Sequence, residues 1–137
     1  MIVEQATAVR KEWSSVCDSV VREKPHFIKR TRDELVLSSF ETMLSLLKGY
    51  HFTASKCKES DGSVSLALHE IDLVVNGTTI ELARKQMGEA ILEYAEEYYE
   101  NYAAYSHAPN RKDHIPYVMK ALLFQNSDII GEEIICA

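Results

Sequence analysis

Residues 1–48 read MIVEQATAVRKEWSSVCDSVVREKPHFIKRTRDELVLSSFETMLSLLK and predict one compact unit of a short strand, a helix, a two-stranded hairpin and a second helix. Four apolar residues recur at helical spacing and are expected to share one face of the first helix: Val9, Trp13, Val16 and Val20. Thr7 is placed to cap the start of this helix. Pro25 is placed to stop it, because the residue before a proline avoids the helical region.

The hairpin and the second helix follow directly. Two short β-type runs, 26–31 and 35–38, flank the polar turn Arg32-Asp33. Ser38 and Glu41 have the spacing of a capping box, in which the serine caps a helix and the glutamate bonds back. Gly49 is placed to end that helix. Its apolar stripe is predicted to consist of Phe40, Met43, Leu44 and Leu47.

This order of elements resembles the N-terminal domain of the Phd/YefM antitoxins of bacterial toxin–antitoxin systems. The resemblance covers residues 1–48 and rests on Arg10-Lys11, Val20-Val21-Arg22-Glu23-Lys24-Pro25, Ile28-Lys29-Arg30-Thr31-Arg32 and Leu35-Val36-Leu37-Ser38-Ser39-Phe40-Glu41. It implies a non-catalytic protein that forms a homodimer or higher oligomer, binds operator DNA, represses its own operon and neutralises a cognate toxin, a RelE-like ribonuclease. The DNA-binding residues implied are Arg10, Lys11, Lys29, Arg30 and Arg32.

Two features depart from that family. Its hairpin usually carries an Ile-Thr-Arg-Arg-Gly type run, whereas this chain has Ile-Lys-Arg-Thr-Arg-Asp at 28–33. The family also usually ends in a disordered toxin-binding tail, whereas residues 50–137 have the composition of a folded unit. An alternative function is therefore a protein–protein interaction module that keeps the fold without binding DNA. In that case the basic side chains would pair with Glu12, Asp33 and Glu34 on the surface.

Length and composition set further bounds. The chain has 137 residues, of which 46% are hydrophobic, enough to build a packed core in one domain of ordinary size or in two small ones. It contains no run of 18 apolar residues and no basic-then-apolar leader, so neither a membrane span nor secretion is expected. Its three cysteines, Cys17, Cys57 and Cys136, are an odd number without paired short spacing, which favours a reducing cytoplasm over a disulfide framework or a zinc site. No cofactor is expected.

The net charge of −6 is unevenly distributed. Residues 1–50 carry eight Lys/Arg and seven Asp/Glu, which leaves seven Lys/Arg and fourteen Asp/Glu for the rest of the chain. A locally basic first unit and an acidic second one suggest two surfaces with different partners. The acidic part is expected to bind a basic toxin through charge complementarity.

The second part of the chain predicts three antiparallel strands and a long helix. The strand runs are 51–57, 63–68 and 73–75, with Asp61-Gly62 as a hairpin turn and Asn76-Gly77 ending the third strand. Thr78 and Glu81 form a second capping box, and the helix after it is expected to reach about Ser106. This β-β-β-α order resembles, more weakly, the HicB-type partial RNase-H-like fold. The whole chain is thus predicted to be α+β, with a DNA-binding and dimerisation unit at 1–48 and a partner-binding unit at 50–137.

The long helix carries an apolar stripe that becomes rich in tyrosine. Its positions recur at helical spacing: Ile80, Ala83, Met87, Ile91, Tyr94, Tyr98, Tyr102 and Tyr105. The opposite face carries Glu89, Glu93, Glu96, Glu97 and Glu100. The tyrosines suggest a partner-binding surface, because aromatic residues are enriched at interface cores; the predicted residues are Tyr94, Tyr98, Tyr99, Tyr102 and Tyr105. The alternative is an intramolecular core shared with Val118, Leu122 and Leu123, with Tyr99 outside it.

The C-terminal segment predicts a short helix over 116–124, with Pro116 in its first turn. Ser127 or Asp128 is expected to cap a last helical turn through Ile134. His107 and His114 flank a basic loop, and a catalytic or metal-binding role for them would need Asp113 or Glu100 as partners. The sequence contains no His-Glu-x-x-His or Cys-x-x-Cys spacing, no glycine-rich phosphate loop and no serine nucleophile motif. No catalytic or metal-binding residue is therefore predicted.

Overall fold

A computed structural model of the chain describes residues 2–137 and divides it into two units, Met1–Leu46 and Leu47–Ala137. The predicted α+β class is confirmed. The first unit contains β1 (Val3–Gln5), α1 (Ala6–Lys11), α2 (Trp13–Arg22), β2 (His26–Arg30), β3 (Asp33–Leu37) and α3 (Phe40–Leu46). This is the predicted strand, helix, hairpin and helix, except that the first helix is broken at Glu12, whose φ is −107° and ψ 31°.

The sheet of the first unit has the order β1-β2-β3, with β1 parallel and β3 antiparallel to β2. One of its faces packs on the two helices, where Ile28 meets Val9, Val16 and Val20 in a small core. The prediction that Trp13 shares this buried face was wrong, because 52% of its surface is exposed. The break at Glu12 makes Trp13 the first residue of a new helix, and this shifts its direction relative to α1.

In the first unit, the start of α1, the hairpin turn and the cap of α3 lie one or two residues from their predicted positions. The residue that precedes α1 is Gln5, not Thr7, and no side chain caps that helix. The hairpin turn consists of residues 31–32, because Arg30 and Asp33 are already paired across the strands. The α3 cap is Ser39, whose Oγ accepts a hydrogen bond from the Thr42 N–H at 3.1 Å. Although the predicted helix exists, none of its residues is buried.

The second unit contains β4 (Thr53–Lys58), β5 (Val64–Leu68), β6 (Val74–Gly77), α4 (Ile80–Glu100), α5 (Tyr102–Tyr105), a 3₁₀ turn (Lys112–His114), α6 (Ile115–Phe124), α7 (Ser127–Glu133) and β7 (Ile135–Cys136). Its sheet has four strands in the order β6-β5-β4-β7, not three, because the end of the chain adds β7 parallel to β4. Asn76-Gly77 continues β6 instead of ending it. Its register is held by the Asn76 side-chain amide, which donates to Ser63 Oγ and Ser65 Oγ at 3.0 Å each.

The long helix α4 is shorter than predicted. It ends at Glu100 and the chain breaks at Asn101 before α5, so α4 has 21 residues and is about 32 Å long. Its cap is Thr79, which accepts from the Leu82 N–H, instead of Thr78. The short helix α6 has Pro116 in its first turn, as predicted. The cap of α7 is Asn126, instead of Ser127 or Asp128.

The core of the second unit lies between α4, its sheet and the helices α6 and α7. The buried apolar residues include Phe52, Ala54, Leu66, Leu68, Ile71, Ala83, Met87, Ile91, Ala95, Tyr98, Val118, Ala121, Ile130 and Ile134. One face of α4 is therefore covered, and its glutamates are on the solvent side. No helix within residues 2–137 has the length and apolar character that crossing a bilayer requires.

Candidate functional site

A shallow basic concavity lies on the first unit where the start of α1 meets the end of β2. Its volume is about 490 Å³. The residues that line it are Gln5, Ala6, Thr7, Arg10, Lys29, Arg30 and Thr31. The parallel pairing of β1 with β2 brings Gln5 beside Lys29, and α1 starts at the next residue. Three of the five predicted DNA-binding residues, Arg10, Lys29 and Arg30, therefore meet around one concave surface.

The other two predicted DNA-binding residues lie outside this lining. Lys11 is exposed and follows Arg10 on α1, where successive side chains point about 100° apart. Arg32 is exposed in the hairpin turn. Of the surface pairings considered for the basic residues, the described part of the chain contains only Arg30–Asp33, at 3.1 Å. Both side chains of this pair are more than half exposed, so it holds Arg30 only weakly.

Thr31 gives the concavity an unusual backbone. Its φ is +58°, in the left-handed region that a β-branched residue rarely occupies. Such a conformation costs on the order of 1–3 kcal/mol, and strained residues of this kind cluster at functional sites. The strained turn carries Arg30 on one side and Arg32 on the other. Thr31 therefore fixes the direction in which the basic hairpin projects.

A partly buried chain of polar side chains ties together the elements beside the concavity. His26 on β2 has Nδ1 2.5 Å from Glu4 Oε2 on β1, and its Nε2 lies 2.8 Å from Ser19 Oγ on α2. Only 11% of the His26 side chain is exposed, against 38% for Glu4. No sequence pattern predicted this link, because its three residues lie in three different elements. It fastens β1 and α2 to β2, the strand that carries Lys29.

The outer face of the same sheet is apolar and open. Val3, Phe27 and Val36 are paired directly across the three strands, on the side opposite Ile28, because successive residues of a strand face opposite ways. Phe27 and Val36 remain 46% and 55% exposed. A contiguous apolar row of this kind marks interaction sites. Exposed Phe40 of α3 lies apart from this row, beside Val20 and Leu37 on the side of the sheet that packs on the helices.

The predicted tyrosine surface is divided between core and solvent. Tyr98 is fully buried, and its hydroxyl donates to the Arg111 carbonyl at 2.9 Å. The Tyr94 hydroxyl lies 2.7 Å from His114 Nδ1. The Arg111 guanidinium stacks 4.0 Å above the ring of Tyr105, whose hydroxyl bonds Glu97. The intramolecular alternative therefore describes these three tyrosines.

The remaining two tyrosines face solvent. Tyr99 is 66% exposed and Tyr102 is 39% exposed. The Tyr99 hydroxyl has no hydrogen-bond partner within residues 2–137. Of the five tyrosines predicted to bind a partner, these two are therefore the most exposed, Tyr94 and Tyr105 are partly buried, and Tyr98 is fully buried.

The surroundings of His114, in the C-terminal segment, shift its pKa. Burial, followed by the nearby Arg111 charge, lowers the pKa of His114 below its usual 6.5, which favours the neutral ring. Burial likewise raises the pKa of the Tyr94 and Tyr98 phenols. His107 bonds the Ala103 carbonyl. In the part of the chain that the structure describes, no three His, Cys, Asp or Glu side chains are arranged to hold a metal ion.

A basic concavity and an open apolar sheet on one unit, with an acidic helical face on the other, define an α+β binding protein. A family model described as antitoxin of a toxin–antitoxin, RelE/RelB system matches residues 1–135, and the chain belongs to this antitoxin family. A crystal structure of an antitoxin part of a proposed toxin/antitoxin system from Syntrophomonas wolfei subsp. wolfei is similar over the whole chain. It has 36% identity and a TM-score of 0.91, and covers 100% of this chain and 99% of that one. No curated protein matches the chain.

Family membership sets the coarse function. The protein is an antitoxin, and an antitoxin implies a toxin as partner.

Proposed function

We propose that this antitoxin neutralises a RelE-like ribonuclease in the cytoplasm and represses its own operon by binding operator DNA as a dimer. In this proposal the first unit is a Phd/YefM-like DNA-binding and dimerisation unit. The second unit, HicB-like in the order of its first four elements, binds the toxin. The observation that carries the DNA-binding part is the convergence of Arg10, Lys29 and Arg30 on one concave surface.

The concavity suits a phosphate backbone better than any other surface of this acidic chain. DNA affinity depends on local positive charge more than on net charge, because each neutralised phosphate releases condensed counterions. Arg10 and Lys29 make no ion pair within residues 2–137, so both are free to bind phosphates. Lys11 and Arg32 extend the basic surface on either side. An arginine that enters a groove can also bind guanine with two hydrogen bonds.

Dimerisation is supported by the open apolar row of Val3, Phe27 and Val36. Two copies that meet through this surface would be related by a twofold axis, the commonest symmetry of soluble oligomers. Such a dimer would present two basic concavities to a palindromic operator. Dimerisation would thereby increase both affinity and specificity for DNA.

The experiment that tests DNA binding is a mobility shift with the DNA upstream of this chain's own coding region. Wild type is compared with Arg10→Ala and Lys29→Ala at two salt concentrations. The expected result is a specific shift that weakens with salt, and a loss of about tenfold in affinity for each substitution, because each phosphate contact adds to the salt-dependent term. The matched control is Arg22→Ala, which removes one exposed charge on α2 outside the concavity.

The second candidate function is an interaction module that does not bind DNA. The Arg30–Asp33 ion pair favours it, because Asp33 places a negative charge beside the concavity. A well-folded dimer that produces no shift at low salt would establish this function in place of the first. Equal losses for Arg10→Ala and Arg22→Ala would show that only net charge matters and that the concavity is not the site.

A further inference from the structure

We infer that the toxin docks on the solvent face of α4, with Tyr99 as its aromatic anchor and a row of glutamates as its electrostatic complement. This inference rests on the proposed function, in which the second unit binds a basic toxin. The α4 docking face is defined by Glu89, Glu93, Glu96, Tyr99 and Glu100, with Glu97 at one margin and Tyr102 just beyond the end of the helix.

These side chains share one side of the helix. At about 100° per residue, the five glutamates fall within an arc of roughly 100°. Tyr99 lies roughly 60° outside this arc, on the side of Glu96. All six side chains are exposed. The opposite side of α4 is held by the sheet, α6 and α7, with Met87, Ile91 and Tyr98 fully buried. The docking face is therefore a rigid platform, which a partner can bind at little entropic cost.

The arrangement of glutamates is unfavourable for the isolated helix. Glu89, Glu93 and Glu97 are four residues apart, as are Glu96 and Glu100, and like charges at this spacing destabilise a helix. The last turn of α4 contains no basic residue, so its carboxylates also oppose the negative end of the helix dipole. The ion pairs within residues 2–137 all lie between residues 4 and 33, and none neutralises this face.

Sequence features that lower the local stability of a protein, as these glutamates do in α4, commonly occur at functional sites. The negative charge of the α4 docking face indicates a basic partner, because a dense acidic face attracts a basic protein and repels nucleic acid and other acidic surfaces. Tyr99 provides the apolar contact that charge alone lacks. Tyrosine is one of the residue types enriched among those that dominate binding energy at interfaces. The half-exposed Tyr102 widens that contact beside the buried ring of Tyr98.

The test uses the product of the reading frame next to this chain's own as the toxin, and measures its affinity for the antitoxin by calorimetry at two salt concentrations. The double variant Glu93→Lys/Glu100→Lys is expected to lose about 100-fold in affinity and most of the salt dependence. Its matched control is Glu132→Lys/Glu133→Lys, which makes the same change in net charge on the exposed end of α7. That control is expected to stay within about threefold of wild type.

The aromatic anchor is tested separately. Tyr99→Ala is expected to lose about 30-fold, whereas Val74→Ala, at a residue that is 67% exposed on β6, leaves binding unchanged. Thermal unfolding supplies a readout of opposite sign. Glu93→Lys/Glu100→Lys relieves repulsion along α4 and is expected to raise the melting temperature while it lowers affinity. A loss of affinity through misfolding would lower both.

The outcomes separate the inference from the function on which it rests. Wild type that does not bind the neighbouring protein overturns both. Wild type that binds, with the α4 variants binding equally well, overturns the docking face and leaves the antitoxin function intact. Equal losses in the two charge-reversed variants would show a general charge effect and would likewise overturn it.

Discussion

Among single residues, His114 shows how the second unit shifts the protonation of a partly buried group. Its Nδ1 lies 2.7 Å from the Tyr94 hydroxyl on α4. Burial and the Arg111 charge lower the pKa of His114 in the folded protein. The unfolded chain therefore binds a proton at this residue at higher pH than the folded chain does.

The sign of the pH dependence follows from that difference. Stability is unaffected well above pH 6.5, the ordinary histidine pKa. It falls as the pH drops through that value, because protonation favours the unfolded chain, and it levels off below the lowered folded pKa. His114→Gln, which does not titrate, is expected to lose this slope. Urea unfolding from roughly pH 8 to pH 5.5, above the range of the carboxylates, measures it; parallel curves for the two proteins would contradict the prediction.

Candidate site residues could be predicted from sequence where their charge alone makes them recognisable. Arg10, Lys29 and Arg30 stood out by charge, but only the parallel pairing of β1 with β2 selects these three and leaves Lys11 and Arg32 outside. The link from His26 to Glu4 and Ser19 was not predictable, because its partners are separated along the chain and each residue is unremarkable in its own segment.

Among the elements, the crossing of α4 and α7 depends on two glycines. A Cβ added to Gly88 would lie 2.1 Å from the Ser127 carbonyl oxygen, and one added to Gly131 would lie 2.7 Å from the Arg84 carbonyl oxygen. Both neighbours are backbone atoms, so the helices would have to separate. The Arg84 guanidinium then bonds the Gly131 and Ile134 carbonyls at the end of α7.

Gly88→Ala is accordingly expected to destabilise the second unit by about 3 kcal/mol, at the upper end of the overpacking range. Gly49→Ala is the control, because a Cβ there meets nothing within 4 Å. Denaturant unfolding of both variants, followed by circular dichroism, makes the comparison. A Gly88→Ala protein as stable as the control would mean that the two helices separate at little cost.

Element types were easier to predict than their ends. The apolar periodicity of α4 and the Asp61-Gly62 turn, where Gly62 has a φ of +88°, are strong signals. The caps moved by one residue at Ser39 and Thr79, because each follows another hydroxyl residue that fits the same pattern. The strand β7 has only two residues, too few for any periodicity, so the fourth strand became visible only through its pairing with β4.

At the scale of the whole molecule, the uneven charge distribution of the sequence predicted two kinds of surface, and the structure shows which residues form each of them. The basic surface is a concavity on the first unit, and the acidic one is the solvent face of α4. Which apolar residues stay uncovered could not be predicted from sequence, because Phe27, Val36 and Phe40 have the pattern of core residues. Their exposure shows that the fold of one chain does not bury them.

The last prediction concerns that exposed surface. Phe27→Glu and Val36→Glu each place a charge in the outer row of the β1-β2-β3 sheet, where Phe27 and Val36 are directly paired. If two copies meet through this row, each substitution buries an unpaired charge in the dimer but leaves the single chain folded, because the row is outside the Ile28 core. Light scattering after size-exclusion chromatography is expected to show a dimer for wild type and a monomer for either variant.

The control for this experiment is Val74→Glu, which adds the same charge to a residue that is 67% exposed on the second unit and is expected to remain dimeric. The monomeric variants are also expected to bind operator DNA more weakly, although neither residue lines the basic concavity, because two linked half-sites raise the effective concentration of the second. Dimers that persist in both variants would move the interface away from the sheet, and α3, with no buried residue of its own, would be the next surface to test.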